Sequence, residues 1–387
     1  MPIKNRLADI ADEATAWRRD LHAHPELGFD LDRTTARVAG LLGDFGCDSV
    51  VEGVGVIGLI KGNKGPGPVV GLRADMDALP IREATGVAHA STIAGKMHGC
   101  GHDGHTAMLL GAAKYLAETR NFAGTVALIF QPAEEIAKGA QAMVDEGVFD
   151  RFAIEEVYGM HNRPGLAVGE FIIRSGPYFA AVDTFEIVVS GKGGHAARPN
   201  SAIDPVVAAS NIVMALQTVA SRNVNPVKTI VVSVTSFRSE TEAFNVIPAS
   251  VTLRGTVRTF EAEVRELAEA RLKAIAQHAA EVYGATAAVE WFRNCSAMVN
   301  ADEQTEIARA AAEKVTGRAP GLADLVMGGE DFAFMLEARP GAYIQIGNGD
   351  TAEVHHPAYD FNDEAISAGA SYWVELVEHR LAAQRGQ

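Results

Sequence analysis

A single stretch of this chain, Met97-His-Gly-Cys-Gly-His-Asp-Gly-His-Thr106, holds three histidines, one cysteine and one aspartate, separated by glycines. Histidine and cysteine side chains bind transition metals, and glycine lets the backbone turn sharply enough to bring such side chains together. Cys100 and His102 are two positions apart, so looping or extended backbone can present both on the same side. The stretch therefore predicts part of a metal site, whose other ligands must come from elsewhere in the chain.

Three predicted apolar strands outside this stretch lead into acidic residues or a histidine. Residues 69–74 lead into Asp75 and Asp77, residues 125–130 into Glu134 and Glu135, and residues 156–160 into His161. Residues 107–119, between the first two strands, form a predicted helix. Open α/β sheets place their functional sites at the carboxyl ends of their strands. We therefore predict an α/β sheet with its chemistry along one edge.

From about Val182 the order of the predicted elements changes to β-α-β-β-α-β. These elements are, in chain order, residues 184–190, 205–222, 229–237, 251–257, 261–283 and 286–291. This order is the ferredoxin-like arrangement, which can fold as a unit of its own. We therefore predict a discontinuous catalytic domain of residues 1–179 and 293–387, with a ferredoxin-like domain of residues 180–292 inserted into it.

The chain has 387 residues, of which 49 are acidic and 34 are basic, for a formal net charge of −15. This balance argues against binding to nucleic acid or to an anionic membrane, because neutralising phosphates requires clustered lysine and arginine. No apolar run reaches the roughly 18–20 residues of a membrane span, and the N-terminus lacks the apolar region of a secretory signal. Three scattered cysteines do not form a disulfide framework. We expect a cytoplasmic protein, in which an unpaired cysteine can serve as a metal thiolate.

The candidate metal ligands and catalytic groups lie in loops at the predicted sheet edge: Cys100, His102, Glu134, Glu135, His161 and His355. A thiolate combined with imidazoles and carboxylates suits zinc or another late divalent ion. The set exceeds what one tetrahedral ion needs, so two ions that share a bridge fit it better, and paired ions activate water for hydrolysis. Adjacent side chains diverge, so one glutamate of the pair can hold metal while the other acts as general base. The spacing does not decide which glutamate takes which role.

Nine short motifs follow one another along the chain: Arg18-Arg-Asp-Leu-His-Ala-His-Pro-Glu26, Arg73-Ala-Asp-Met-Asp-Ala-Leu-Pro80, His98-Gly-Cys-Gly-His-Asp-Gly-His105, Gln131-Pro-Ala-Glu-Glu135, Gly159-Met-His161, Gly191-Lys-Gly-Gly-His-Ala-Ala-Arg-Pro199, Asn245-Val-Ile-Pro248, Gly329-Glu-Asp-Phe332 and His355-His-Pro357. In these motifs the chain resembles, over nearly its whole length, the metallo-amidohydrolases and metallopeptidases that include hippurate hydrolase, N-acyl-amino-acid amidohydrolases and plant auxin-conjugate hydrolases. The resemblance implies a zinc-peptidase-like catalytic domain with a mixed sheet. It also implies that the inserted domain mediates dimerisation, so we expect a homodimer or a dimer-based oligomer.

The resemblance further assigns roles to individual residues. It implies that two divalent ions per subunit, zinc or else manganese, cobalt or nickel, are held by Cys100, His102, Glu135, His161 and His355. It implies that Glu134 is the general base, that His195 contacts the substrate carbonyl and that Asn245 helps to hold the substrate. The family pattern of histidine, any residue and proline favours His355 over His356 as the ligand. Whether His195 serves its own subunit or its partner's stays open.

The implied reaction is hydrolysis of the amide bond of an N-acyl amino acid, of the hippurate or N-acetyl amino acid type, to a carboxylate and a free amino acid. Glu134 takes a proton from the attacking water and returns it to the departing amine, while the ions and His195 stabilise the oxyanion. The alternative is a dipeptidase or carboxypeptidase of the same architecture, although a cysteine in the metal stretch favours the amidohydrolase. A non-catalytic metal-binding protein is disfavoured because the base and all five ligands are present. The sequence does not define the acyl group, the amino acid or the physiological metal.

Other polar residues near these motifs are predicted to support the site. Asp75 is expected to orient a ligand or to satisfy amides at the end of its strand. Asp103 is either the N-cap of a helix or the partner of a ligand, with no preference between the two. His98 and His105 are expected to pack or to form hydrogen bonds, and Asp331 to lie in the first turn of a helix.

Overall fold

The computed structural model describes residues 5–382. By its internal contacts the chain divides into two units: unit 1 is Met1–Gly176, Val299–Asp324 and Asp331–Gln387, and unit 2 is Pro177–Met298 and Leu325–Glu330. The second segment of unit 2 is not part of the inserted domain predicted over residues 180–292. It packs in unit 2 because the Ala180 amide donates to the Val326 carbonyl at 3.0 Å, and the Cys295 thiol donates to the Glu330 carbonyl at 3.3 Å.

The α-helices of the described residues are α1 (Asn5–Ala23), α2 (Asp32–Asp44), α3 (His102–Thr119), α4 (Gly139–Asp145), α5 (Val148–Arg151), α6 (Pro205–Thr218), α7 (Ala262–Glu281), α8 (Asp302–Thr316), α9 (Phe332–Ala338) and α10 (Ala365–Arg380). Lys4 and Ala383, where the sequence predicts the first helix to begin and the last to end, lie outside the described residues. Within residues 5–382, no helix combines the length and the apolar character needed to cross a membrane.

The strands of the same residues are β1 (Ser49–Glu52), β2 (Val56–Lys61), β3 (Val69–Asp75), β4 (Thr125–Gln131), β5 (Ile154–Pro164), β6 (Phe171–Ile173), β7 (Gly176–Phe179), β8 (Ala181–Ser190), β9 (Gly194–His195), β10 (Ile230–Ser239), β11 (Val246–Ile247), β12 (Ser250–Thr259), β13 (Thr286–Cys295), β14 (Met298–Asn300), β15 (Gly321–Leu322) and β16 (Gly341–Gly349). Most of the long strands match the predicted ones to within a few residues. The exceptions are β5, which the sequence predicts to end at Met160 but which continues through His161 to Pro164, and β13, which is predicted to end at residue 291 but continues to Cys295.

Unit 1 is built on a mixed sheet of eight strands in the order β1-β2-β4-β3-β5-β16-β6-β15. The central strands β4, β3, β5 and β16 are parallel neighbours, so their carboxyl ends lie at one edge. Asp75 ends β3, Gln131 ends β4 just before the glutamate pair, and His161 lies in the second half of β5. The predicted mixed α/β sheet is therefore confirmed, and its parallel strands deliver the candidate ligands to one edge.

Helices cover both faces of this sheet. Alternate strand residues such as Leu72, Tyr158 and Ile344 belong to one apolar core with residues of α1, α3, α8 and α10. On the opposite face the Arg73 guanidinium lies 5.6 Å from the ring centroid of Phe332 in α9. Strands buried on both faces have nearly continuous apolar sequences, which is why these strands were recognisable from the sequence. Burial on both faces also holds the strand ends, and the side chains that follow them, in fixed positions.

Unit 2 contains a four-stranded antiparallel sheet in the order β10-β12-β8-β13. Its elements follow one another as β8-α6-β10-β12-α7-β13, which is the ferredoxin-like arrangement that the sequence predicts. Strand residues such as Ile187 and Leu253 form an apolar core with Ile212 of α6 and Leu272 of α7. Between β10 and β12 the chain forms the short strand β11, which pairs antiparallel with β9.

Candidate metal centre

The glycine between Cys100 and His102 determines how the metal stretch folds. Gly101 precedes the first residue of α3 and has a φ of +90°, a conformation that L side chains rarely adopt. A Cβ atom at this position would lie 2.4 Å from both the Asn162 Nδ2 and the Tyr359 hydroxyl oxygen. Because of this cap, α3 begins at His102, earlier than the predicted start at residue 107, and the imidazole projects from its first turn.

The first group of candidate ligand atoms comes from Cys100, His102 and His161, and these atoms all lie within 4.8 Å of one another. The Cys100 Sγ is 3.3 Å from the His161 Nε2. The His161 Nδ1 donates to the carbonyl oxygen of Asn162 at 2.7 Å, so the Nε2 lone pair is available on the side of the thiol. Two imidazoles and one thiol of this kind form a suitable ligand set for a late divalent ion.

The second group consists of Cys100, Glu135 and His355, again with ligand atoms within 4.8 Å of one another. The His355 Nε2 is 3.4 Å from the Glu135 Oε2. His355 has a φ of +66°, which is unusual for a residue with a side chain, and its backbone N–H donates to the Gly99 carbonyl at 2.6 Å. Cys100 belongs to both groups, so its thiol would be shared if each group held an ion.

Two buried polar atoms in these groups have no hydrogen-bond partner among the described residues: the His102 Nε2 and the Glu135 Oε1. They lie 3.8 Å apart. The other ring nitrogen of His102, Nδ1, donates to the Asp77 carbonyl at 2.8 Å, which fixes the orientation of the imidazole. Leaving a buried polar atom unpaired costs about 1–3 kcal/mol, and a divalent cation would satisfy both atoms. The residues present therefore fit a metal ion.

The electrostatics of the centre also favour a cation. Burial lowers the pKa of His102, but the carboxylates of Asp75, Asp77 and Glu135 outweigh it and raise the pKa to about 10. Burial, with repulsion from Asp77 and Asp75, raises the pKa of Glu135 to about 7 although His102 opposes this change. The carboxylates thus hold a proton on His102, and a bound cation would supply that positive charge instead.

The surroundings of the two remaining histidines of the centre favour the neutral imidazole. Burial, followed by the neighbouring imidazole of His105, holds the pKa of His161 well below its ordinary value. Burial, followed by His102, lowers the pKa of His355. A neutral imidazole offers the lone pair that a metal ion requires.

Asp77 orients the glutamate pair, a role that the sequence did not reveal. Its Oδ1 accepts from the Glu134 amide at 3.0 Å and its Oδ2 from the Glu135 amide at 3.2 Å. The preceding Ala133 has a φ of +55°, so the turn that presents the pair is strained. The Glu134 Oε2 lies 3.8 Å from the His102 Nε2, whereas Glu135 approaches both His102 and His355. In the sequence, the feature that could have indicated this role is the pair Asp75 and Asp77, spaced by one residue, at the end of the buried strand β3.

Three of the predicted supporting residues, Asp75, Asp103 and His105, form buried hydrogen bonds, whereas His98 packs near the His22 ring and neither of its ring nitrogens has a hydrogen-bond partner among the described residues. His105 Nδ1 donates to the Asp75 Oδ1 at 2.6 Å and its Nε2 accepts from the Asn162 amide at 2.9 Å, so both ring nitrogens are engaged. Asp103 lies inside α3 rather than at its cap, and its Oδ2 accepts from the Arg18 Nε and the His22 Nδ1, both at 2.8 Å. Of the two roles left open for Asp103, the helix cap is therefore the wrong one.

His195 and Asn245 lie together in unit 2. Val246 of β11 is the register partner of His195 in β9, and the Ala196 amide donates to the Asn245 carbonyl at 3.0 Å. Both side chains are exposed, and the His195 Nδ1 accepts from the Ala197 amide at 3.1 Å. The inserted unit therefore brings its two predicted substrate-binding residues to one exposed ladder.

Comparisons with known proteins agree with this arrangement. The sequence model of peptidase family M20/M25/M40 matches residues 71–379. An N-acetylcysteine deacetylase of Bacillus subtilis (strain 168) is 42% identical over 93% of this chain and 94% of the relative. A hippurate hydrolase of Campylobacter jejuni is 38% identical over 96% of this chain and 97% of the relative. The crystal structure of the Bacillus subtilis YXEP protein, described as a dinuclear metal binding peptidase from the M20 family, superimposes with a TM-score of 0.86 at 37% identity, covering 97% of this chain and 99% of that one.

These matches extend over nearly the whole chain and include every segment that carries a candidate ligand. The mixed sheet, the inserted ferredoxin-like unit and the grouped histidine, cysteine and glutamate side chains are consistent with them. The chain therefore belongs to peptidase family M20/M25/M40, as one of its metal-dependent amidohydrolases that cleave linear amides.

Proposed function

We propose that this protein hydrolyses the amide bond of N-acyl amino acids, of the N-acetyl or hippurate type, to a carboxylate and a free amino acid. The observation that carries the proposal is the pair of ligand groups that share Cys100, with Glu134 beside them. The relatives named for N-acetylcysteine and hippurate support this substrate class. The substrate panel described below is designed to identify the particular acyl group and amino acid.

The proposed metal ligands are Cys100, His102 and His161 for one ion, and Cys100, Glu135 and His355 for the other. Their thiolate, imidazole and carboxylate groups suit zinc, with manganese, cobalt or nickel as alternatives. When bound, two such ions polarise the amide carbonyl and lower the pKa of water. Glu135 is assigned as a ligand because it approaches histidines of both groups, which leaves the carboxylate of Glu134 for proton transfer.

Three residues of the chain are proposed to transfer the proton, stabilise the oxyanion and hold the substrate. Glu134 accepts a proton from the attacking water and then donates it to the amine nitrogen as the carbon–nitrogen bond breaks. His195 donates a hydrogen bond to the carbonyl oxygen as negative charge develops on it. Asn245 holds the substrate through its exposed side-chain amide.

We further propose a homodimer formed through unit 2, in which His195 serves either its own subunit or its partner's. A cytoplasmic location also remains a prediction from the sequence.

Metal removal and a substrate panel test this function. We expect a chelator to abolish hydrolysis of hippurate and N-acetyl amino acids, and Zn²⁺, Mn²⁺ or Co²⁺ to restore it. The measurement is release of the free amino acid from each compound at equal concentration. Hydrolysis that continues in the chelated, dialysed protein would contradict the metal centre.

The second candidate function is that of a peptidase. The description of the YXEP protein as a peptidase favours it, and a dipeptide presents the same carbonyl–nitrogen bond next to a free amino acid. Dipeptides and peptides with free C-termini therefore belong in the same panel. If their kcat/KM values exceed those of every N-acyl amino acid, the peptidase proposal replaces the amidohydrolase one.

A further inference from the structure

We propose that Asn162 is a positioning residue that holds two metal-binding side chains, Cys100 and His161, in the geometry required to bind one ion. This inference rests on the proposed metal centre. Asn162 does not reach the reacting atoms and is not itself a candidate ligand. It acts through the residues that it contacts, and the whole residue is 1% exposed.

The first support for this role is the set of hydrogen bonds that meet at Asn162. Its Nδ2 donates to the Cys100 carbonyl at 2.6 Å, which anchors the backbone of the thiol-bearing residue. The backbone carbonyl of Asn162 accepts from the His161 Nδ1 at 2.7 Å. This hydrogen bond selects the tautomer whose Nε2 carries a lone pair, and that Nε2 lies 3.3 Å from the Cys100 Sγ. One residue thus fixes both the position of the thiol and the orientation of the imidazole.

The orientation of the Asn162 amide is determined by its other partners. The Asp75 carboxylate can only accept, so the His105 Nδ1 carries the proton that bonds to it and the His105 Nε2 is an acceptor. This acceptor lies 2.9 Å from the backbone N of Asn162 and 3.0 Å from its Nδ2. The Tyr359 hydroxyl donates to the Oδ1 at 2.9 Å. Donors and acceptors match in this orientation only, so the amide cannot turn over without losing these bonds.

Gly101 gives independent support, because only a residue without a Cβ at this position leaves room for the Asn162 amide. A Cβ at Gly101 would lie 2.4 Å from both the Asn162 Nδ2 and the Tyr359 hydroxyl. Tyr359 follows the His355 segment, and its backbone N–H donates to the His356 carbonyl at 2.9 Å. Segments that carry Cys100, His161 and His355 therefore converge on one buried amide. Hydrogen bonds of this kind behind metal ligands typically change metal affinity by about 10–100-fold when they are removed.

The test compares Asn162→Asp with a matched control, Asn300→Asp. The first variant keeps the shape of the side chain but replaces the Nδ2 donor by an oxygen that faces the Cys100 carbonyl and the His105 Nε2. Asn300 is also buried and uses both ends of its amide, donating to the Arg174 and Tyr343 carbonyls and accepting from the Tyr343 amide, but it contacts none of the proposed ligands. Both variants lose buried hydrogen bonds, so their losses in thermal stability should be similar.

Two measurements distinguish positioning from general destabilisation. The dissociation constant for Zn²⁺ is measured by competition with a chromophoric chelator, and the thiolate-to-cobalt charge-transfer absorption is recorded after Co²⁺ substitution. We expect Asn162→Asp to weaken Zn²⁺ binding by about 10–100-fold and to shift or abolish the absorption band. We expect Asn300→Asp to leave both unchanged.

If Asn162→Asp does not fold, the same two measurements are made on Tyr359→Phe. It removes only the bond to the Asn162 Oδ1, and we expect a several-fold weakening of Zn²⁺ binding, with a shifted absorption band. Unchanged zinc affinity and absorption in a folded Asn162 or Tyr359 variant would overturn the positioning role. If instead the unsubstituted protein binds no Zn²⁺ and gives no thiolate–cobalt band, the proposed metal centre itself is wrong and the inference about Asn162 falls with it.

Discussion

The proposed metal ligands of unit 1 and the ladder formed by β9 and β11 in unit 2 are organised in opposite ways. The proposed metal ligands lie near the carboxyl ends of parallel strands or at the start of α3, and hydrogen bonds orient the imidazoles of His102 and His161. His195 and Asn245 lie on short strands of two residues or beside them, and their side chains are exposed.

This difference indicates two kinds of functional residue. A metal ligand must be oriented before the ion arrives, because two or three side chains have to meet at one point. A residue that contacts only the substrate can be oriented by the substrate when it binds. Substitutions around the metal ligands should therefore change metal content or stability, whereas substitutions in the ladder should change catalysis alone.

Glu134→Gln should have the largest effect of the substitutions that leave the metal ligands intact. Glutamine keeps the shape of the side chain but cannot accept a proton, so we expect kcat to fall by about 10²–10⁴-fold. Metal content, measured by elemental analysis, should stay unchanged because Glu135 is the proposed ligand. A kcat within tenfold of the original would place the general base elsewhere.

His195→Ala should have the next largest effect and should leave the fold intact. Loss of a hydrogen-bond donor to the developing oxyanion typically costs about 10²–10³-fold in kcat. The thermal midpoint should not change, because the side chain is exposed and its ring accepts only from a neighbouring amide. His278→Ala, at another exposed histidine of unit 2 whose ring donates to the Ala274 carbonyl, is the matched control and should retain full activity.

Mixing variants decides which subunit His195 serves. If it acts across a dimer, inactive His195→Ala chains mixed with inactive Glu134→Ala chains should regain part of the activity, because some mixed dimers contain one complete site. Absence of recovery, with subunit exchange verified by mass spectrometry, would assign His195 to its own subunit or remove its role.

The sequence predicted the strands and the residues that follow them because both signals are local. Apolar runs marked β3, β4 and β5, and the polar residues directly after them identified the edge of the sheet. The start of α3 at His102 was not predictable, because the cap at Gly101 depends on Asn162 and Tyr359, which are distant in sequence. The roles of Asp77 and Asn162 were missed for the same reason, since each bonds to segments brought together only by the fold.

Asp331 is another residue whose contacts could not be predicted from the sequence. The sequence predicts only that it lies in the first turn of a helix, and it is the residue that precedes α9. The carboxylate is buried and accepts from the Gln131 Nε2 at 2.7 Å and from the Ala140 amide at 2.9 Å. No periodicity or motif connects residues so far apart in the chain, so such contacts require the folded structure.

The pH dependence of stability should depend on His22, a buried histidine whose Nδ1 donates to the Asp103 carboxylate. Burial lowers the pKa of His22, but Asp103 and Glu83 outweigh it and raise the pKa from 6.5 to about 9, with Arg18 opposing. A raised histidine pKa stabilises the fold fully below about pH 6.5, and this contribution is lost as the pH rises towards 9. We expect the loss to be on the order of 1–3 kcal/mol.

Thermal midpoints measured at pH 6 and pH 9, at constant metal content, test this dependence. His22→Gln should reduce the difference between the two midpoints, because glutamine does not titrate. His24→Gln is the matched control, since His24 follows α1 directly and its Nδ1 donates to the carbonyl of Asp20 in α1, with the Asp20 carboxylate 3.5 Å away. An equal pH dependence in all three proteins would show that the positive charge on His22 does not stabilise the fold.

Asn245→Ala should have the smallest effect and is the most direct test of the comparison. The backbone carbonyl that accepts from Ala196 is retained, so the ladder should remain intact. Loss of one substrate hydrogen bond of about 1 kcal/mol should raise KM roughly fivefold and leave kcat nearly unchanged. Asn211→Ala, at an exposed asparagine of α6, should change neither constant. A fall in kcat as large as that expected for His195→Ala would mean that the Asn245 amide acts in the transition state, and the ladder would then be organised for chemistry as the metal ligands are.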